Sequence, residues 1–209
     1  MDTFDLYKDI QCRTNGEIYL GVVGPVRSGK STFIKRFMDV LVLPKMTDEH
    51  AKERTVDELP QSASGKSIMT TEPKFVPKEA AEIQLAKDVS VLVRLIDCVG
   101  YMVEGAAGHM ENGAERLVKT PWNEKEIPFT KAAEIGTKKV IHDHSTIGIV
   151  VTTDGSIGEL PRNSYREAEK KTIQELKSIG KPFVVLVNTR KPYRAEAKNV
   201  AEEIPNEYQ

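Results

Sequence analysis

The chain alternates between short apolar runs and longer polar stretches in which apolar residues recur every three or four positions. The apolar runs are rich in β-branched residues, as is typical of buried strands. They occupy residues 17–24, 147–151 and 183–187. The periodic polar stretches predict helices. We place these helices at residues 28–41, about 130–142, 162–180 and about 195–203.

The predicted helix at 162–180 has the clearest pattern. Asn163 or Ser164 is its expected N-cap, because a short polar side chain there can accept a hydrogen bond from a free backbone N–H. Gly180 is expected to end the helix. The apolar stripe consists of Tyr165, Ala168, Thr172, Leu176 and Ile179.

The segments between these elements give weaker signals. Apolar runs at 81–86 and 89–96 are separated by too few residues for a crossover helix, so they predict an antiparallel hairpin. Residues 44–81 are polar, hold four prolines and show no lasting period, which predicts a long loop. Residues 101–128, with several glycines and prolines, are expected to be irregular as well.

Strands that alternate with helices predict an α/β fold in three layers. We expect a mainly parallel sheet with one antiparallel edge strand and helices on both faces. The length suits one domain over residues 1–209. The chain stops where one more strand and helix would usually complete such a sheet, so we expect an N-terminal fragment of a longer protein.

Composition excludes several classes of function. Hydrophobic residues make up 39% and charged residues 29%, which is ordinary for a soluble protein with a substantial core. The 31 acidic and 30 basic residues nearly cancel, so no overall basic field attracts nucleic acid. No apolar run is long enough to span a bilayer. Two cysteines, Cys12 and Cys98, are too few for a disulfide framework or a zinc site, which favours the cytoplasm.

The first strand leads into GPVRSGKS, which fits the phosphate-loop pattern G-x-x-x-x-G-K-[ST] between a strand and a helix. The glycines let backbone N–H groups point at phosphate oxygens, and the helix N-terminus adds partial positive charge. Lys30 is expected to reach the β- and γ-phosphates, and the Ser31 hydroxyl to bind Mg²⁺. The expected nucleotide contacts here are Gly24, Pro25, Val26, Arg27, Ser28, Gly29, Lys30, Ser31 and Thr32.

A second phosphate-loop signature, Asp97-Cys-Val-Gly100, follows the second strand of the predicted hairpin. Asp97 is expected to hold Mg²⁺ through water, and the Gly100 N–H to sense the γ-phosphate. Thr71, with Thr70 as second choice, is the expected switch threonine that binds Mg²⁺. The alternative is that both are solvated loop threonines.

Two residues depart from common hydrolytic machinery. Many GTPases place Gln after the Asp-x-x-Gly, where it orients the attacking water, but here Tyr101 stands there and a phenol cannot imitate an amide. Arg27 could supply positive charge beside the phosphates or could simply face solvent, and the sequence favours neither. The candidate catalytic residues are Lys30, Asp97, Arg27 and Thr71 or Thr70.

The strand at 183–187 leads into Asn188-Thr189-Arg190-Lys191. A guanine-reading protein of this kind carries Asn-Lys-x-Asp there, and its carboxylate accepts hydrogen bonds from the guanine N1–H and 2-amino group. Lys191 offers donors instead, which favours rejection of guanine. Asn188 and Thr189 remain candidate nucleotide contacts, although nothing in this loop selects adenine.

Two other polar clusters have simpler interpretations. His142-Asp143-His144 lies at a helix end, and histidines two apart do not share a helix face, which favours a capping or surface role over a metal site. Thr152-Thr153-Asp154-Gly155 predicts a turn after the strand at 147–151. Its position at the carboxyl edge of the sheet leaves a binding role open.

Taken together, the motifs resemble the translation-factor-related class of phosphate-loop NTPases. More narrowly, the sequence resembles the N-terminal domain of the stage IV sporulation protein A family, the spore-coat basement ATPases of endospore-forming bacteria. The resemblance runs along essentially the whole chain, and DCVGY with VTTDGSI is its most specific part. The motifs that carry it are GPVRSGKS, MTTEP, LIDCVGY, VTTDGSIGELPR and NTRKP.

The resemblance implies a G-protein-type fold that hydrolyses ATP, with Mg²⁺, rather than GTP. It also implies that turnover drives self-assembly into a homopolymer on the outer forespore membrane, in the mother-cell cytoplasm. Regions beyond residue 209 would be needed for that assembly, and for contact with other coat morphogenetic proteins and a small amphipathic membrane peptide. Two alternatives stay open: a structural protein that bound nucleotide stabilises with negligible turnover, and a GTP-dependent switch.

Overall fold

The computed structural model describes residues 16–60, 71–86, 89–111 and 113–208. The strands are β1 Glu17–Val23, β2 Lys74–Ala86, β3 Val89–Asp97, β4 Met110–Glu111, β5 Ala114–Glu115, β6 Leu117–Thr120, β7 Asn123–Pro128, β8 Ile147–Thr153 and β9 Phe183–Asn188. The α-helices are α1 Lys30–Phe37, α2 Glu49–Glu58, α3 Phe129–Lys139, α4 Arg162–Ser178 and α5 Ala195–Glu207. Helices α1 and α3 continue into π-helical turns, Met38–Val42 and Val140–His144.

The main sheet has the strand order β2-β3-β1-β8-β9 within the described residues. β1 runs parallel to β3 and β8, and β9 runs parallel to β8, whereas β2 is antiparallel to β3. The predicted α/β fold with a mainly parallel sheet and one antiparallel edge strand is therefore confirmed. Because parallel strands end at the same edge, the segments that follow β1, β3, β8 and β9 come together there.

Helices cover both faces of this sheet and produce two hydrophobic cores. Successive side chains of a strand point to opposite faces, so Val22 packs with α1 and the hairpin, whereas Val23 packs with α4 and α5. The fold thus has the three layers that the sequence predicts. No helix in the described part of the chain is both long and apolar enough to cross a membrane.

The predicted loop at 44–81 is wrong in two places. The helix α2 lies within it, and its N-cap Asp48 accepts hydrogen bonds from the backbone N–H groups of His50 and Ala51. Thr55 is the buried residue of α2, so the helix has no apolar stripe that a periodic pattern could show. Strand β2 also begins seven residues earlier than expected, at Lys74. Its pairing with β3 is irregular after Val76, which hides the strand from a simple alternation.

Other boundaries need correction too. The segment 101–128 is not wholly irregular, because β4–β5 and β6–β7 form two small hairpins there. The N-cap of α4 is Pro161 and not Asn163 or Ser164, because the helix begins at Arg162 and the Ser164 N–H donates to the Pro161 oxygen.

Gly180 follows the end of α4 as predicted, with φ at 64°. The proposed last member of the apolar stripe, Ile179, is 38% exposed and lies outside the core.

Candidate functional site

The loop after β1 forms a cradle of backbone groups at the carboxyl edge of the sheet. Gly29, whose φ is 95°, directly precedes α1. The Lys30 side chain is buried, and its Nζ donates to the backbone oxygens of Pro25 at 2.6 Å and Gly24 at 3.4 Å. Burial disfavours the charged amine and lowers the pKa of Lys30. Anionic oxygens are stronger partners for an ammonium than carbonyls, so the cradle suits a phosphate.

The Asp-x-x-Gly loop is attached directly to this cradle. The Val26 N–H donates to the Tyr101 oxygen at 2.8 Å, and the Tyr101 N–H donates to the Gly24 oxygen at 3.3 Å. Gly100, with φ at 94°, fits so closely that a Cβ there would lie 2.1 Å from the Gly24 oxygen and 2.6 Å from Lys30 Nζ. The structure thus brings Gly100 to the amine of Lys30, where a terminal phosphate is expected.

Ser31 and Asp97 meet beside the cradle. Ser31 Oγ donates to Asp97 Oδ2 at 2.7 Å, whereas Asp97 Oδ1 is buried without a hydrogen-bond partner in the described residues. Burial raises the pKa of Asp97, against the opposing effects of the Ser31 hydrogen bond and of Lys30. Hydroxyl and carboxylate oxygens are the ligands that Mg²⁺ prefers, and the unpaired Oδ1 leaves a coordinating atom available. These two residues therefore fit a magnesium ion.

Of the two predicted switch threonines, the structure describes Thr71. Thr70 lies outside the described residues. Thr71 is buried, and its backbone oxygen lies 2.7 Å from where a Cβ on Gly136 of α3 would be. Three residues later, Lys74 pairs with Asp97 in the sheet. Thr71 is thus packed on α3 near the carboxyl end of β3, and its contact with Mg²⁺ stays a prediction.

The Tyr101 side chain turns away from the cradle. Its ring is buried, and Lys171 Nζ of α4 lies 4.6 Å from the ring centroid. Burial, with a smaller effect of Glu175 and Glu134, raises the pKa of the phenol, which therefore stays protonated near neutral pH. Tyr101 consequently contributes its backbone to the site and its side chain to the packing between α3 and α4.

Among the other predicted contacts of the phosphate loop, Val26 and Ser28 are buried and Thr32 is exposed. Arg27 is exposed, with φ at 61°, and its guanidinium donates to the Ala107 oxygen at 3.1 Å. This contact holds the guanidinium over the loop that follows Tyr101. Compensation of phosphate charge by Arg27 stays a prediction.

Asn188 connects the loop after β9 to the phosphate loop. Its Nδ2 donates to the Ser28 oxygen at 3.1 Å. The approach is so close that a Cβ on Gly29 would lie 2.2 Å from the same Nδ2 atom, so a glycine is required there. Asn188 thus lies at the predicted nucleotide site, in a bracing contact that sequence alone does not show.

Sequence reasoning missed a cluster next to Asn188. Thr189 Oγ1 donates to Asp154 Oδ2 at 2.5 Å, and Ser156 Oγ donates to Asp154 Oδ1 at 2.6 Å. Partial burial would raise the pKa of Asp154, but hydrogen bonds from Ser156 and Thr189 outweigh it and lower the pKa. The available signal was the position of both segments after neighbouring strands of the sheet.

The histidines near the end of α3 have partners within the fold. His142 Nε2 lies 2.7 Å from Glu175 Oε1, and the His144 ring packs edge-on against Phe75. In the part of the chain that the structure describes, no group of three or more His, Cys, Asp or Glu side chains could hold a metal ion. A site built on one carboxylate and one hydroxyl, as at Asp97 and Ser31, is of a different kind.

Comparison with known proteins decides the family. Residues 1–209 match the family described as stage IV sporulation protein A, ATPase domain. The chain belongs to this family. It is 53% identical over 208 residues to stage IV sporulation protein A of Bacillus subtilis (strain 168), covering 100% of the chain and 42% of that protein. It is 57% identical over 205 residues to the Clostridioides difficile (strain 630) protein of the same name, covering 98% of the chain and 42% of that protein.

The chain thus spans less than half the length of these relatives. The resemblance predicted from the motifs is confirmed, and membership of an ATPase domain family implies ATP binding. Among solved structures, a crystal structure of the SsGBP mutation variant G235P aligns with a TM-score of 0.41 and 17% identity, over 95% of this chain and 47% of that one. A likeness at this level carries no inference about function.

Proposed function

We propose that this chain binds ATP together with Mg²⁺ and transfers the γ-phosphoryl group to water, giving ADP and phosphate. The observation that carries the proposal is the convergence of Lys30, Ser31 and Asp97 at one edge of the sheet, with Gly100 packed against Lys30. The family name supports the choice of ATP. Catalysis of this kind depends mainly on positioning and on charge stabilisation, which are what these groups can supply.

Each residue has a separate task in this proposal. The Lys30 ammonium exchanges its two carbonyl partners for phosphate oxygens and stays close to the group that is transferred. Ser31 Oγ and the unpaired Asp97 Oδ1 hold the metal ion. Magnesium, when bound, neutralises charge that develops on the phosphate oxygens. The Gly100 N–H meets the terminal phosphate and makes the Asp-x-x-Gly loop sensitive to its presence.

We infer that Tyr101 does not orient the attacking water, because its ring packs against Lys171 of α4. We propose that backbone groups near Gly100 and Thr71 orient the water instead. The turned-away ring also favours a second candidate, a protein whose fold is stabilised by bound ATP that it does not cleave. Single-turnover reactions distinguish the two, because ATP that remains intact over hours supports the second candidate.

The wider role belongs to the whole protein and is a proposal too. The relatives are named sporulation proteins, and the chain covers 42% of their length. We propose that residues 1–209 form the N-terminal ATPase domain of such a protein. Its turnover would change the conformation of the domain and allow assembly into a homopolymer of the spore-coat basement layer, peripheral to the outer forespore membrane. Contacts with coat proteins and a membrane peptide would lie in regions outside this chain.

The proposal is tested with two variants and one control. Lys30→Ala should abolish ATP binding, and Asp97→Asn should retain binding but remove its dependence on Mg²⁺ together with turnover. Lys35→Ala is the matched control, because this lysine lies exposed on the same helix. Calorimetric titration of ATP with and without Mg²⁺, followed by phosphate-release assays, gives both readouts. Normal turnover by Lys30→Ala would refute the proposed site.

A further inference from the structure

We propose that Asp154 is a positioning residue for the nucleotide base: its carboxylate fixes the loop Asn188–Lys191 in the conformation that accepts ATP. This inference rests on the proposed function, because it assigns the base-side wall of the same site. The loop lacks the carboxylate with which a guanine-reading protein contacts the base. The Asp154 carboxylate, from a neighbouring segment, instead anchors the loop.

Sheet register brings the two segments together. β8 and β9 are parallel, and Thr153 is the pairing partner of Asn188. The next residue of each strand therefore leaves the sheet at the same point. Asp154 and Thr189 meet there, although 35 residues separate them in sequence.

The hydrogen-bond directions show what the carboxylate does. A hydroxyl has one proton, and both Thr189 Oγ1 and Ser156 Oγ give theirs to Asp154, at 2.5 and 2.6 Å. Their lone pairs are then free to accept backbone N–H groups. Thr189 Oγ1 accepts from Lys191 N at 3.1 Å, and Ser156 Oγ accepts from Arg190 N at 3.0 Å. An acceptor-only group at 154 thus orders two consecutive N–H groups of the loop.

The anchored loop begins at the phosphate site. Asn188 donates to the Ser28 oxygen, so the residue before Thr189 is fixed to the phosphate loop. Ile157, from the same turn as Asp154, lies 3.8 Å from where a Cβ on Gly29 would be. The turn, the phosphate loop and the loop after β9 are therefore in contact with one another, and on the proposed function the base of a nucleotide held by the cradle would lie along them.

Anchoring matters here because the usual base contact is missing. Lys191 is exposed and offers no acceptor to a base. Other groups of the loop, its backbone included, must then contact the base, and these discriminate only if their positions are fixed. An open cleft of about 370 Å³ lies beside the loop and is lined by Asp154, Ser156, Lys191 and Arg194 among others.

Two isosteric variants test the inference. Asp154→Asn keeps the shape but replaces one acceptor by an NH₂ donor, which faces a hydroxyl that already accepts a backbone N–H. Thr189→Val removes the hydroxyl at nearly constant volume. Each variant should raise the Kd and KM for ATP about tenfold and leave kcat within about twofold of the wild-type value. Each should also lower the ratio of the Kd for GTP to the Kd for ATP. The double variant should be no weaker than the weaker single variant, because both remove the same contact.

Glu159→Gln is the control, because this exposed carboxylate lies in the same connection between β8 and α4. The affinity of the purified chain for ATP and GTP, measured by calorimetry with Mg²⁺, gives Kd, and steady-state phosphate release gives kcat and KM. Asp154→Asn with wild-type Kd and nucleotide preference would overturn the inference. Equal loss of kcat and of ATP affinity would also overturn it, since that pattern indicates a general structural role. A wild-type chain that binds no ATP would instead refute the proposed function itself.

Discussion

Gly100→Ala offers a test of the contact between the Asp-x-x-Gly loop and the phosphate loop. The structure places a Cβ on this residue 2.1 Å from the Gly24 oxygen, which is backbone and cannot rotate away, and 2.6 Å from Lys30 Nζ. Ordinary contacts of carbon lie near about 3.5 Å, so the two loops must separate by more than about 1 Å. The two backbone hydrogen bonds of Tyr101 to the cradle would be strained by the same movement.

The magnitude follows from two separate effects. Gly100 has φ at 94° and Gly180 has φ at 64°. A Cβ at a residue with such a left-handed backbone lowers the free energy of unfolding by roughly 1–2 kcal/mol, so both Gly→Ala variants should be less stable. A misplacement of about 1 Å in a catalytic arrangement reduces the rate by about a hundredfold. Of these two glycines only Gly100 combines both effects, because no atom of the described residues lies within 4 Å of a Cβ at Gly180.

Gly180→Ala is therefore the matched control. We expect both variants to lower the free energy of unfolding in urea, and Gly100→Ala alone to lower kcat/KM for ATP by about a hundredfold. The assay is steady-state phosphate release with Mg²⁺, at protein concentrations verified by folded-state circular dichroism. If Gly100→Ala keeps kcat/KM within threefold of Gly180→Ala, the close packing of Gly100 on the phosphate loop is not a feature of the working enzyme.

Three further predictions concern burial and charge. Burial raises the pKa of the Cys98 thiol to about 11, so about 0.1% of the thiol is ionised near pH 8. In a Cys12→Ser background, a disulfide reagent should therefore label Cys98 only after unfolding, and rapid labelling of the native chain would contradict this. Glu169 is fully buried and accepts hydrogen bonds from Arg162 at 2.6 and 2.8 Å. Glu169→Ala should therefore lower the free energy of unfolding by about 3–5 kcal/mol. A loss no larger than that of the control Glu167→Ala, at an exposed neighbouring position, would contradict a stabilising Arg162–Glu169 ion pair. Because the pKa of Asp154 is lowered, its contribution to the free energy of unfolding is complete above the ordinary value of 3.8 and is lost as pH falls through the folded-state value. The difference in unfolding free energy between wild type and Asp154→Asn should therefore stay constant over about pH 5–8 and shrink in acid. A difference that grows in acid would contradict the lowered pKa.

Short contiguous motifs were sufficient to predict the residues of the candidate site. The phosphate loop, Asp97 and the parallel strands β1, β8 and β9 are encoded in short contiguous runs, and the structure brings Lys30, Ser31 and Asp97 together as expected. Helix α2 was missed because it lies on the surface with a single buried residue, Thr55, and so lacks an apolar period.

The other omissions depend on contacts between distant segments. Asp154 was predicted as the corner of a turn, which describes its own loop, but its partner Thr189 follows a different strand and only the register of β8 and β9 makes them neighbours. The prediction that Tyr101 does not orient water rests on the chemistry of its phenol, whereas the burial of its ring beneath Lys171 depends on the packing of α3 and α4. Sequence therefore indicated which residues gather at the carboxyl edge of the sheet, and tertiary packing determines how the loops there are braced.

The most direct test of the central claim is phosphate release by the purified chain with Mg²⁺ and either ATP or GTP, alongside Lys30→Ala. We predict release from ATP, little release from GTP, and none from either nucleotide with the variant. Release from GTP in preference to ATP, or release that survives Lys30→Ala, would contradict an ATPase built on this phosphate loop.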